Sequence, residues 1–155
     1  SRWTVGRQGR QVIIKLQFAH ITWVPKHRVW FRRLPATEHF WTDKLVLHEL
    51  DHVRISSAPH WQANFAKALR DQRVLVHWLD PGDAVNQGLV DRLVEQHVQK
   101  EFSRTSELIS IRYKELDRVT SHGLHPLPED SSLSELLRPR APARTNSRSS
   151  RSGSE

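Results

Sequence analysis

His48-Glu49-Leu50-Asp51-His52 is the segment of this chain whose residue types and spacing could do chemistry. Residues four apart on a helix lie one turn apart on the same face, so His48 and His52 can bind one metal ion together. Imidazole nitrogen suits zinc, at about 2.0–2.1 Å. Glu49 leaves the helix at a neighbouring angle, from which its carboxylate reaches a water beside the metal without ligating the metal. Zinc lowers the pKa of such a water toward about 7, the carboxylate takes the proton, and a polarised carbonyl is attacked. Two ligands and a general base thus fall within one short stretch of helix.

A catalytic zinc takes three protein ligands and keeps one position open. The chain has no cysteine, so the third ligand must be His, Asp or Glu. The extended pattern His-Glu-x-x-His-x-x-Gly-x-x-His is not met, because positions 55 and 58 are Ile55 and Ala58. His60 follows, but beyond the expected helix end. The remaining candidates are Glu115, Asp117, His122 and His97. His97 alone reads more readily as a packed or surface histidine. A histidine at a helix terminus, as at His122, is also what the helix dipole favours.

These side chains need elements to position them. From Val12 to Val24 apolar and polar residues alternate, which predicts a strand, bent near His20 and ending at Pro25. Gly6 to Gly9 reads as a turn or a frayed end. Residues 26–34 read as a loop or a short second strand. The metal-site helix starts with Pro35 in its first turn or with Thr42 as its cap, and stops near Ser57, before Pro59. A strand ahead of it could hold a substrate backbone by edge addition. Trp61 to Trp78 reads as a second helix with a β-branched end, and Pro81-Gly82-Asp83 as a turn. A long helix follows from Ala84 to His122, with a kink or break around Ser103 to Ser106 and Gly123 as its C-cap residue. The expected fold is α+β: a small antiparallel sheet packed on the His-Glu-x-x-His helix, with a long C-terminal helix that returns the third ligand.

Composition sets the wider limits. The 155 residues suit one domain, residues 1–125, plus a basic tail rich in Ser, Pro and Arg, residues 126–155, that offers too little apolar surface to order itself. No apolar run is long enough to span a membrane. There is no methionine even at position 1, so the chain reads as processed or trimmed at its N-terminus. Net charge is +7, and the first acidic residue is Glu38, after eight cations. That block reads as a solvated basic face or as an attraction for an anionic partner.

His48-Glu49-x-x-His52 followed by Val53-Arg54-Ile55, together with the distant Asp117-x-x-Thr120-x-His122-Gly123, resembles the two signatures of the bacterial predicted secreted zinc-dependent proteases. The resemblance spans roughly residues 10–124. It implies a zincin-like domain, incomplete at its N-terminus, with His48 and His52 as zinc ligands and Glu49 as the catalytic base. It implies His122 as the third ligand, with Asp117 as second choice or as the partner that orients a histidine. The family pattern places an aromatic directly before the aspartate, where this chain has Leu116. Tyr113, the only tyrosine, is then the candidate for stabilising the oxyanion from a different turn, with His60 or His39 as substitutes. The resemblance also implies a secreted or periplasmic setting, any signal peptide having been removed.

The expected function is a zinc-dependent peptidase or amidase acting on a peptide or protein substrate. Two other readings compete. One is a binding module that keeps zinc for structure without turnover. The other is a nucleic-acid-binding protein that uses the basic N-terminal block, with Trp23, Trp30 and Phe31 as stacking platforms.

Overall fold

Arg2–Gln8 (β1) and Gln11–Gln17 (β2) form an antiparallel hairpin whose turn puts Gly9 at φ +59°, a left-handed value that suits a residue without Cβ. The structure is a computed structural model and describes residues 2–80 and 84–137. Val74–Trp78 (β3) pairs with the other edge of β2, giving a three-stranded antiparallel sheet in the order β1-β2-β3. Along β2 the alternation holds: Val12, Ile14 and Leu16 are buried, while Lys15 and Gln17 are exposed.

The strand ends at Gln17 rather than running on to Val24. Its last partners are Arg2, opposite Gln17, and Val74, opposite Lys15, so the ladder stops where the neighbours stop. The chain then continues without helix or strand as far as Ala36. Trp23 leaves the sheet and wedges between Phe65 and Phe102, at centroid distances of 5.1 and 5.4 Å. The β-branched stretch before Trp78, expected as a helix end, is β3 itself.

A short 3₁₀ helix, Thr37–Thr42, precedes Lys44–Ser56 (α1). Neither Pro35 nor Thr42 starts α1. Asp43 caps it, its carboxylate accepting from the N–H groups of Leu45 (2.9 Å) and Val46 (3.2 Å). The helix closes at Ser57, before Pro59, as the sequence predicts. Pro59 then opens Pro59–Asp71 (α2), where its missing N–H is harmless. Asn86 caps Gln87–Thr120 (α3), a continuous helix of 34 residues and so roughly 50 Å long. No break occurs at 103–106; Thr105 is buried and satisfied by donating to the Glu101 carbonyl at 2.9 Å. The expected turn at 81–83 lies outside the described residues. Among those residues no helix is long and apolar enough to cross a membrane.

Two cores form at opposite ends of α3. Val12, Ile14, Leu16 and Leu79 pack with Leu89 and Val90 at its start. Ile55 of α1 packs with Leu116 near its end. The sheet therefore covers the start of α3, not the metal-site helix, which corrects the expected packing. Val90, in the core under the sheet, and Asp117 are separated by roughly 40 Å of helix. The physical reason is that α3 carries apolar stripes at both ends, and α1 occupies the second.

The packed structure also runs past Pro126, where the expected tail begins. Ser134–Leu137 (α4) is a single turn, and Leu133 before it is fully buried against Ile55 and Leu116. Ser132 ties the segment down by donating to the Glu115 carboxylate at 2.6 Å. Residues 138–155, the rest of the expected tail, lie outside the described residues. Leu133→Ala is expected to destabilise the protein by about 2–5 kcal/mol, since a fully buried leucine leaves a cavity. Urea unfolding measures this, and a loss below about 0.5 kcal/mol would show that the segment does not contribute to the core.

Candidate metal centre

His48 and His52 stand one turn apart on α1, their rings in edge contact at 4.7 Å. α3 brings Asp117 across them. The Nε2 atoms of both histidines lie 3.0 Å from one oxygen, Oδ1, of Asp117. His48 is buried, and His52 and Asp117 are half-buried. Together the three could hold a metal ion. Two ligand atoms at zinc distance in a tetrahedral site stand about 3.3–3.4 Å apart. The spacing here, 3.0 Å, is a few tenths of an ångström tighter, an ordinary hydrogen-bond distance.

The other ring nitrogen of His48 meets Thr120. Thr120 Oγ1 donates its single proton to the Leu116 carbonyl at 2.7 Å. It also receives the Gly123 N–H at 3.1 Å, and it lies 3.4 Å from His48 Nδ1. With its proton spent, the hydroxyl can only accept from Nδ1. Nδ1 thus faces Thr120, and Nε2 faces the Asp117 carboxylate. Thr120 thus stands where a hydroxyl orients the His48 ring.

Thr120→Val removes that acceptor at nearly constant volume. Metal affinity is expected to fall about 10–100-fold, measured by competition with a chromophoric chelator. An unchanged affinity would show that Thr120 does not orient His48.

Gly123 has a further role that the sequence does not reveal. The cap of α3 is Ser121, in a left-handed conformation, rather than Gly123. Gly123 sits at φ +82°, and a Cβ there would lie 2.8 Å from His48 Cβ. Only glycine lets the backbone close over the buried histidine.

His52 is held differently. Tyr113 lies one turn before Asp117 on α3 and packs its ring on His52 at 4.7 Å and 80°. Among the described residues His52 Nδ1 is buried without a hydrogen-bond partner. Tyr113 therefore meets the site through the imidazole ring. Glu49 is half-buried and has no hydrogen-bond or ion-pair partner among the described residues. Asp51, in contrast, is bound by Arg54 at 2.6 Å.

His122 lies at the rim. It follows Ser121 in the left-handed region, with φ 57°, and its side chain is 82% exposed. Its Nδ1 is 3.6 Å from the Asp117 oxygen that the other two histidines meet. The other candidates are engaged elsewhere. Glu115 accepts from Ser132 and Arg112, and these contacts, Ser132 first, hold its carboxyl pKa below the ordinary value. His60 stacks on Trp61, and its pKa is lowered by burial and then by Arg112. His97 is buried within α3, and burial lowers its pKa as well.

Comparisons of the chain with protein-family models, with curated proteins and with solved structures give no match.

Proposed function

We propose that this protein is a zinc-dependent hydrolase of peptide-like amide bonds, zincin-like in its His-Glu-x-x-His helix. His48, His52 and Asp117 hold the zinc, and Glu49 is the general base. The observation that carries this reading is the convergence of His48 Nε2 and His52 Nε2 on one oxygen of Asp117, each at 3.0 Å.

When bound, zinc supplies the positive charge that acidifies a water and polarises a carbonyl. The rest falls to the chain. Glu49, one residue and about 100° round the helix from His48, takes the proton from the attacking water and returns it to the leaving amine. Asp117 supplies the negative charge in the ligand set and anchors α3 to α1. Thr120 and Gly123 fix His48, while Tyr113 packs His52 in place.

A two-histidine, one-carboxylate set also suits iron. The free Glu49 beside the first histidine favours hydrolysis, which requires a base.

The test is hydrolysis of a mixed pool of internally quenched peptides by chelator-stripped protein, before and after zinc is restored. Zinc-dependent cleavage is expected. A zinc-loaded protein that cleaves nothing above the stripped one would sink the hydrolase reading, and activity restored by iron alone would replace it.

A further inference from the structure

The sheet packs on the start of α3, apart from the residues of the metal centre, and carries a surface that hydrolysis does not use. Register places Ile13 opposite Val76 and Lys15 opposite Val74, so these side chains share the outer face of the sheet with Trp78. Val74, Val76 and Trp78 are 44%, 57% and 63% exposed, an apolar strip left open to water. Two grooves, of about 480 and 580 Å³, meet at Lys15 to Gln17. Arg2, Lys15, Arg70 and Arg73 line them, with Trp3 and Phe18, and no acidic residue does. None of the four cations is ion-paired among the described residues, and Asp71, next to Arg70, is taken by Lys67.

We infer that this end binds single-stranded nucleic acid, with phosphates following the grooves past Arg2, Lys15, Arg70 and Arg73 and a base stacked on Trp78. Uncompensated cations in a groove favour an anionic chain, and an exposed aromatic on a flat sheet offers a base its face. The flanking Val74 and Val76 make that platform apolar. A duplex keeps its bases stacked inside and leaves Trp78 unused, so a single strand fits the whole surface better. The field of the N-terminal block, eight cations before the first acid, adds long-range attraction. The aromatic residues within that block play a smaller part. Trp23 is wedged between Phe65 and Phe102, and Phe31 packs on Phe40. Trp30 alone stands open, 83% exposed.

The test is fluorescence anisotropy of a labelled oligothymidylate of about 20 nucleotides with the full chain, which needs neither bound metal nor turnover. Binding is expected, with log K falling against log salt at a slope of about −3, as four phosphate contacts on a single strand require. The double variant Lys15→Glu with Arg73→Glu should bind at least about tenfold more weakly. Trp78→Ala, at an exposed position, should weaken binding about five- to hundredfold and leave peptide hydrolysis unchanged. An Arg28→Gln, Arg32→Gln and Arg33→Gln triple variant should stay within about threefold of wild type. The inference is overturned if no oligonucleotide binds at about 50 mM salt, or if the Lys15, Arg73 and Trp78 variants bind as wild type. It is equally overturned if a duplex, polyglutamate or anionic vesicles compete as well as the single strand.

Discussion

Glu49→Gln is expected to leave the metal in place and to lower kcat by about 10²–10⁴-fold, the usual contribution of a positioned general base. The amide keeps the size of the carboxylate but cannot take a proton. Glu49 makes no hydrogen bond or ion pair among the described residues, so the substitution breaks no structural contact. The loss should therefore fall on turnover alone, with metal content and unfolding midpoint unchanged. A Glu49→Gln protein that hydrolyses peptides at the wild-type rate would remove Glu49 from the mechanism.

Asp117→Ala should have the largest effect on metal binding. Both histidine Nε2 atoms converge on this one carboxylate, which also supplies the only negative charge in the set. Its removal leaves two neutral imidazoles to hold a dication, and affinity should drop at least about 100-fold, more than loss of a supporting hydrogen bond costs. His122→Ala is the informative contrast. Its ring is mostly exposed and stands 3.6 Å from Asp117, so affinity should stay within about tenfold of wild type. Chelator competition on both variants reads the difference directly. Equal losses would make His122 a ligand in its own right, as the family resemblance implies.

Much of the site helix was legible in the sequence because its signals are local. The four-residue spacing of His48 and His52 fixes a shared face, and the alternation along β2 fixes which residues it buries. Which of Asp117 and His122 faces the two histidines depends on where α3 ends. Asp117 is still helical and, between buried Leu116 and Thr120, faces α1. His122 lies two residues past the last helical residue, where left-handed backbone at Ser121 and His122 turns its side chain outward. No local pattern announces that turn, although Gly123 marks its neighbourhood.

The placement of the sheet was not legible for a different reason. Leu89 and Val90 at one end of α3 and Leu116 at the other present equivalent apolar surfaces, and only long-range packing decides which element covers which. Val74–Trp78 is short enough to read as a helix end or as a strand until β2 supplies the partner. Leu133 belongs to a segment poor in apolar residues, and it packs because Ile55 and Leu116 leave a site that it fills.

The most direct measurement is metal content by elemental mass spectrometry, on untagged wild-type protein and Asp117→Ala prepared side by side with exhaustive buffer exchange. A centre made of His48, His52 and Asp117 predicts about one zinc per wild-type chain and essentially none in Asp117→Ala. No metal in the wild type even after zinc is added, or a full complement in Asp117→Ala, would contradict it.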